Sequence, residues 1–384
     1  MPKKIFISSG EESGDHHGAA LITALKESEP DLVVKGMGGR AMRHAGLVGL
    51  DSKEVSVVGI TEVVARLPKI LSALRVLKKE LRTGNFDAVV LIDFPDFNLK
   101  LAAEAKRLGL PVIYYISPQV WAWRKKRAWK IARLVDKMLV IFPFEVEVYR
   151  KTGLDVQFVG NPIIESAVCA MSKAEARKVL GIDDAETVVA LLPGSRTSEI
   201  TRLLGIMLDA GALINKKLDK KALYVLAASH SFDEAALRPV LDSSGIDVRV
   251  VTDSMYTALR ASDAAIVASG TASLETALIG TPMVIVYIMS AITYAVARAI
   301  VDLKLFGLPN IVAGKRVVEE YIQDEVNPEK LSGEVLNILN NPARRAEIES
   351  GYKEISETLG GPGAARNAAT AVLDVISKRA QTVT

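Results

Sequence analysis

The stretch Ala265–Tyr287, AIVASGTASLETALIGTPMVIVY, decides how the chain is read. Ala265–Ala268 is an apolar strand, and Ser269-Gly270-Thr271 is a turn of small residues opening a helix that carries Glu275. Gly280-Thr281-Pro282 stops that helix, and Met283–Tyr287 is a second strand. A helix that opens on small residues straight after a parallel-type strand aims free backbone N–H groups at whatever lies above it, which suits phosphate. Glu275 falls about one turn into the helix, within reach of sugar hydroxyls. The stretch predicts one step of a parallel sheet and a nucleotide-sugar site in the second half of the chain.

The same alternation extends in both directions. In the first half the predicted strands are Lys4–Ser8, Leu32–Gly36, Ala88–Ile92, Val112–Ile116, Lys137–Ile141 and Val156–Val159. Helical stretches such as Gly18–Ser28, Pro68–Arg82 and Leu99–Leu108 lie between them. In the second half Thr187–Leu192, Leu223–Ala227, Val248–Thr252, Ala265–Ala268 and Met283–Tyr287 repeat the scheme. Continuous apolar strands separated by helices indicate α/β architecture, with parallel sheets covered on both faces. Each half reads as its own doubly wound, Rossmann-like unit, with ligands expected at a cleft above the C-terminal strand ends. The seam is expected near Asn161–Gly181, giving domains 1–165 and 166–361. A last helix, about Pro362–Arg379 within residues 362–384, is a candidate to pack back on the first domain.

A chain of 384 residues exceeds what one hydrophobic core usually supports, in keeping with two domains. Its 49% hydrophobic and 24% charged content is that of a globular protein. A net charge of +3 does not demand nucleic acid but permits a basic patch toward an anionic surface. The single cysteine, Cys169, excludes an internal disulfide and sits in a small-residue helix pattern that suggests packing. The N-terminus is no signal peptide, since its apolar run is short and leads into a glycine turn. Met283–Ala297 is the best membrane-spanning candidate, yet falls short of the ~20 residues a span needs. The chain reads as soluble or peripheral.

Four motifs end on strand termini. SGEESGDHHGAAL, Ser9–Leu21, follows the first strand, and its acids Glu11, Glu12 and Asp15, with Ser13, are expected to face substrate. It is neither G-x-G-x-x-G nor a Walker loop, and the plainer reading is a tight turn with a capped helix. His16 and His17 point to different helix faces and make no metal site. In VVLIDFPDFN, Val89–Asn98, Asp93 ends an apolar strand and Asp96 follows a proline turn. A partly desolvated carboxylate there acquires a raised pKa and suits a general base. Asp96 is the reserve candidate, with helix capping as its plainer role. SPQVWAWRKKRAWKIARLVD, Ser117–Asp136, carries all three tryptophans among Arg124, Lys125, Lys126 and Arg127. Trp121, Trp123 and Arg124 are the expected contacts with a sugar phosphate, headgroup or base, against the alternative of an amphipathic helix. In VVALLPGSRTSEI, Val188–Ile200, Gly194 and Ser195 free the backbone and Arg196 is placed to neutralise a diphosphate leaving group. A fifth stretch, Glu62–Leu77, is an apolar stripe of Val63, Val64, Leu67, Ile70, Leu71 and Leu74 with Arg66, Lys69, Arg75, Lys78 and Lys79 around it. It reads equally as a core-facing helix or a segment lying on an anionic membrane.

Taken in order, GEESGD, IDFPDFN, SPQVWAWR, LLPGSR, ASGTASLE and LPN at Leu308–Asn310 resemble the lipid-A-disaccharide synthase family through nearly the whole chain. The resemblance implies an inverting GT-B glycosyltransferase with two Rossmann-like domains facing across a cleft. It implies UDP-2,3-diacylglucosamine as donor, 2,3-diacylglucosamine 1-phosphate as acceptor, and the β-1,6 disaccharide of lipid A plus UDP as products. Carried onto this sequence, UDP lies against Gly194–Arg196, Ser269, Gly270, Thr271 and Glu275, Asn310 and Glu11–Asp15 line the cleft, and Asp93 is the base. No cofactor or metal is expected, since the chain has no Asp-x-Asp metal motif in the right context. The resemblance also implies work in the cytoplasm at the inner face of the inner membrane, and a homodimer through an exchanged C-terminal region. Another UDP-N-acetylglucosamine-using GT-B enzyme, a 2-epimerase or a peptidoglycan-type transferase, stays open as the alternative. An RNA-binding reading of Trp121–Lys130 is weakened by the modest net charge.

Overall fold

The computed structural model describes residues 2–54, 60–118, 125–167, 170–228, 234–252, 254–290, 294 and 305–383. The polypeptide divides into two compact units, Met1–Pro162 together with Gly361–Thr384, and Ile163–Gly360.

The first unit is a seven-stranded sheet in the order β3-β2-β1-β4-β5-β6-β7. Its strands are β1 Lys4–Ser9, β2 Val33–Gly38, β3 Leu47–Asp51, β4 Ala88–Ile92, β5 Val112–Tyr115, β6 Lys137–Val140 and β7 Asp155–Phe158, and all pair in parallel. The chain runs outward from β1 to one edge, then returns to place β4 on the other side of β1. That reversal is the switch point where open α/β sheets bind ligands. The register sets Ser9 beside Ile92, so the turn after β1 and Asp93 emerge together.

Alternation along the central strands divides the core into two layers. Phe6, Val89, Leu91 and Tyr114 face one way and pack with Leu77 and Leu81 of the Ile60–Thr83 helix and Leu101 of the Pro95–Arg107 helix. Ile5, Ile7, Val90 and Ile92 face the other and pack with Leu21 and Leu25 of the Glu12–Ser28 helix. The C-terminal helix Ala364–Val383 completes this second layer through Ala368, Val372 and Ile376. Asn367 Nδ2 donates to Val159 O at 3.0 Å and Arg379 to Asp87 O at 3.1 Å, fastening it to the same unit.

The second unit repeats the plan with six parallel strands in the order β10-β9-β8-β11-β12-β13. These are β8 Val188–Leu192, β9 Leu223–Ala228, β10 Asp247–Thr252, β11 Ala264–Ala268, β12 Met283–Tyr287 and β13 Glu320–Ile322. Its switch point lies between β8 and β11. The Thr271–Ile279 helix ends at Gly280, left-handed at φ 91°, with Pro282 two residues on, so the predicted stop is built from the residues read for it.

Three readings change. β3 and β13 have no counterpart among the predicted strands, because each pairs on one side only and carries few consecutive apolar residues. The first helix begins at Glu12, not Gly18, so the acidic stretch is its opening turn. The apolar stripe also splits: Leu74 joins the core, whereas Leu71 is 38% exposed beside Lys69, Ser72 and Arg75, which are exposed too. The side chains of Val63, Val64, Arg66 and Leu67 lie outside the described residues. Among the described residues no helix is long and apolar enough to cross a membrane.

Candidate functional site

At the carboxyl end of the first sheet the backbone is strained where β4 and β5 end. Asp93 at φ 45°, Phe94 at φ 48° and Ile116 at φ 65° are all left-handed. For a residue with a Cβ this costs ~1–2 kcal/mol, and such outliers gather at functional sites. Phe94 lies over the turn after β1, where a Cβ on Gly10 would come within 2.3 Å of its ring. Only glycine lets the two loops close on one another.

Asp93 is held by its main chain. Its N–H donates to Tyr115 O at 3.3 Å, and its carbonyl accepts from Tyr114 Oη at 2.6 Å and Asn98 Nδ2 at 2.8 Å. Burial, then the negative charge of Glu11, push its carboxyl up to about 6, against a smaller opposing pull from the Phe94 N–H. Glu11 occupies the N-cap position of the Glu12–Ser28 helix without a side-chain capping bond, and Glu11, Glu12 and Ser13 are exposed at its opening turn. His17, in the next turn, is held below its ordinary value by burial and then by His16. Asp96 is 90% exposed and paired with Arg127 at 2.5 Å.

Asp15, by contrast, faces inward. Its carboxylate accepts from the N–H groups of Gly39 at 2.7 Å, Ala41 at 2.9 Å and Met42 at 3.0 Å, capping the Arg40–His44 helix. Those bonds correct its reading as a substrate contact, because a buried carboxylate must satisfy neighbouring donors.

In the second unit a cavity of ≈ 920 Å³ opens above the ends of β8, β9 and β11. Gly194, Ser195, Arg196, Ser269, Gly270, Thr271 and Glu275 all line it. Two helices, Thr197–Asn215 and Thr271–Ile279, present their N-termini there, each a locus of partial positive charge. Gly194 sits at φ 110°, and a Cβ on it would fall 2.3 Å from Glu199 Oε2. Glu199 shapes the turn by accepting from Ser195 N–H at 3.2 Å, Arg196 N–H at 3.4 Å and Arg196 Nη1 at 3.1 Å. Arg196 remains 70% exposed. Glu275 accepts from Tyr256 Oη at 2.7 Å, and burial pushes its carboxyl up despite that bond. The cavity therefore combines anion-attracting backbone and guanidinium with a carboxylate suited to hydroxyl groups.

Asn310 does not join that lining. It is 0% exposed; its Oδ1 accepts from Val317 N–H at 2.8 Å and Val318 N–H at 3.1 Å, and its Nδ2 donates to Val318 O at 2.9 Å. The expectation of a cleft-lining asparagine gives way to a lock that leads the chain into β13. Trp121, Trp123, Arg124 and Cys169 lie outside the described residues. Tyr256, Glu199 and Asn98 escaped the sequence reading. For Asn98 and Glu199 the signal lay in the motifs themselves, whereas Tyr256 follows β10, where no motif marks it. Among the described residues no three His, Cys, Asp or Glu side chains gather in a way that could hold a metal ion.

Comparison with known proteins agrees over nearly the whole chain. Residues 5–375 match the profile of the lipid-A-disaccharide synthetase family. The lipid-A-disaccharide synthase of Syntrophus aciditrophicus is 43% identical over 378 residues, covering 98% of each chain. That of Geobacter metallireducens is 42% identical with the same coverage. Among solved structures, the UDP-GlcNAc 2-epimerase of Neisseria meningitidis bound to UDP-GlcNAc superposes with a TM-score of 0.63 at 12% identity, over 97% of this chain and 100% of that one. Acinetobacter baumannii MurG gives 0.58 at 15% identity, over 98% and 100%. These two likenesses establish the GT-B fold of paired Rossmann-like units.

Proposed function

The chain belongs to the lipid-A-disaccharide synthase family, and from that premise we propose that it joins UDP-2,3-diacylglucosamine to 2,3-diacylglucosamine 1-phosphate, giving the β-1,6 disaccharide and UDP. It is a glycosyltransferase of lipid A disaccharide synthesis, acting on lipid-linked sugars.

The observation that carries the residue assignment is Asp93, a carboxylate at a switch-point strand end whose proton affinity is raised to about 6. Near neutral pH it is mostly ionised yet basic enough to accept a proton in the transition state. Asp93 takes the proton of the acceptor 6-hydroxyl as that oxygen forms its bond to the donor's anomeric carbon. The bond from that carbon to the diphosphate breaks on the opposite face, and the electron pair leaves with UDP. The second unit binds the donor: Glu275 accepts from the ribose hydroxyls, and the Gly194–Arg196 turn takes the diphosphate. Arg196 and the N-terminus of the Thr271–Ile279 helix stabilise the negative charge that develops on it.

The family assignment also supports work at the inner face of the inner membrane, with the exposed Leu71, Val76 and Trp129 of the first unit as apolar contacts and neighbouring lysines and arginines toward anionic headgroups. A homodimer belongs to the same reading, and light scattering tests it. For the chemistry, disaccharide and UDP formation is measured with EDTA present for wild type and Asp93→Asn. Product from wild type and none from a well-folded Asp93→Asn is expected. Near-normal turnover by the variant would transfer the base role to Asp96 or another group, and loss of wild-type product with EDTA would overturn a metal-independent reaction.

A further inference from the structure

Asn98 lies on the Pro95–Arg107 helix, fully buried, on a face where its neighbours Phe97 and Leu101 are apolar core residues. A buried amide is tolerated only where its polar atoms find partners. Its Oδ1 accepts from Ser8 Oγ at 2.8 Å, and Nδ2 donates to Ser8 O at 3.2 Å, Ile92 O at 3.1 Å and Asp93 O at 2.8 Å. One side chain thus joins the carboxyl ends of β1 and β4. Tyr114, from β5 on the other side of β4, adds the second donor to Asp93 O at 2.6 Å.

We propose that Asn98 and Tyr114 are positioning residues for the reaction: their two hydrogen bonds to the Asp93 carbonyl hold that residue in its left-handed conformation and so set where its carboxylate points. The inference rests on the assignment of Asp93 as base. With its N–H on Tyr115 O and its carbonyl doubly bonded, the main chain of Asp93 has no freedom to turn. Its carboxylate stays at the switch point, where burial keeps it basic. Transfer of a proton degrades steeply when a base is displaced by even about 1 Å. Side chains that served packing alone would not converge on one carbonyl from two elements.

The charged and titratable groups around Asp93 and Tyr114 are Glu11 from the turn after β1, Tyr149 from the Pro143–Arg150 helix, and the mutually paired Asp96 and Arg127. None of them is altered by Tyr114→Phe, which keeps the ring in the core and removes one donor. The test is steady-state disaccharide formation from about pH 5 to 9 by wild type, Asp93→Asn, Asn98→Ala and Tyr114→Phe. Tyr114→Phe is expected to lower kcat by about tenfold and leave both KM values within about twofold, with the acid limb displaced to lower pH as water reaches the loosened carboxylate. Asn98→Ala is expected to act the same way and more strongly; should it not fold, Tyr114→Phe decides alone. If Asp93→Asn retains turnover, the base assignment fails and this proposal with it. If Asp93→Asn is inactive while Tyr114→Phe keeps wild-type kcat and an unmoved acid limb, the positioning role alone is overturned.

Discussion

Replacing Asp93 by Asn should make the protein more stable at neutral pH while abolishing turnover. The folded protein raises this carboxyl from 3.8 to about 6, chiefly by burial. A carboxyl whose affinity for protons is higher folded than unfolded penalises folding once it must ionise. The sign is therefore a penalty absent below the unfolded value of 3.8, growing between there and 6, and complete above. At about 1.4 kcal/mol per pH unit the interval gives an upper limit of about 3 kcal/mol. Since Asp93 is not wholly sealed from solvent, about 1–3 kcal/mol is expected. Asparagine retains an oxygen for the Phe94 N–H and tolerates the left-handed backbone, so the change removes charge and little else. Urea unfolding of wild type and Asp93→Asn at about pH 7.5 and about pH 4 reads the effect as a difference in midpoint for the transition of the first unit. The variant should unfold later at the higher pH, and the difference should shrink at the lower. Equal midpoints at both, or a variant weaker at neutral pH, would refute the claim that Asp93 is held basic by burial.

Arg196→Ala should weaken UDP binding by about 10- to 100-fold, the loss of a charge-assisted contact to diphosphate, with little change in melting temperature because the side chain is exposed; calorimetric titration reads it, and unchanged affinity removes Arg196 from the site. Tyr256→Phe should weaken UDP by about five- to tenfold, since it frees Glu275 from the bond that orients it and lets its carboxyl rise further toward the neutral form; unaltered affinity across neutral pH contradicts this. Turnover should fall as pH drops through about 6, because the base must be ionised, and a flat profile down to about pH 5 excludes Asp93. Asn310→Ala should destabilise the second unit by about 2–4 kcal/mol, leaving the N–H groups of Val317 and Val318 without their acceptor; unchanged unfolding with lost UDP binding would restore it to a ligand role.

Both sheets could be read from the sequence where strands are central. Val188–Leu192 and Ala264–Ala268 are buried on both faces, so their apolar runs are continuous and announce a parallel sheet. β3, LVGLD, pairs only with β2 and carries exposed Val48 and Gly49, leaving little for periodicity to register. Gly194–Arg196 and Ser269–Thr271 were legible as phosphate-type turns because the strand, the small residues and the helix all lie within one short stretch. Asp15 and Asn310 were misjudged for the opposite reason. A polar residue in a motif looks the same whether it serves a ligand or a backbone N–H, and the partners of Asp15 lie 24 to 27 positions away.

From the sequence alone came the alternation of strand and helix, the parallel sense of both sheets and the position of each motif at a strand's carboxyl end. These follow from burial and backbone conformation, which neighbouring residues encode. Tertiary structure alone decided that β4 returns beside β1, that Glu11 bears on Asp93, that Tyr256 holds Glu275, and that Asn98 reaches Ser8 across 90 positions. A side chain's hydrogen bonds and its proton affinity depend on what the fold brings within a few ångströms, and no local pattern carries that distance.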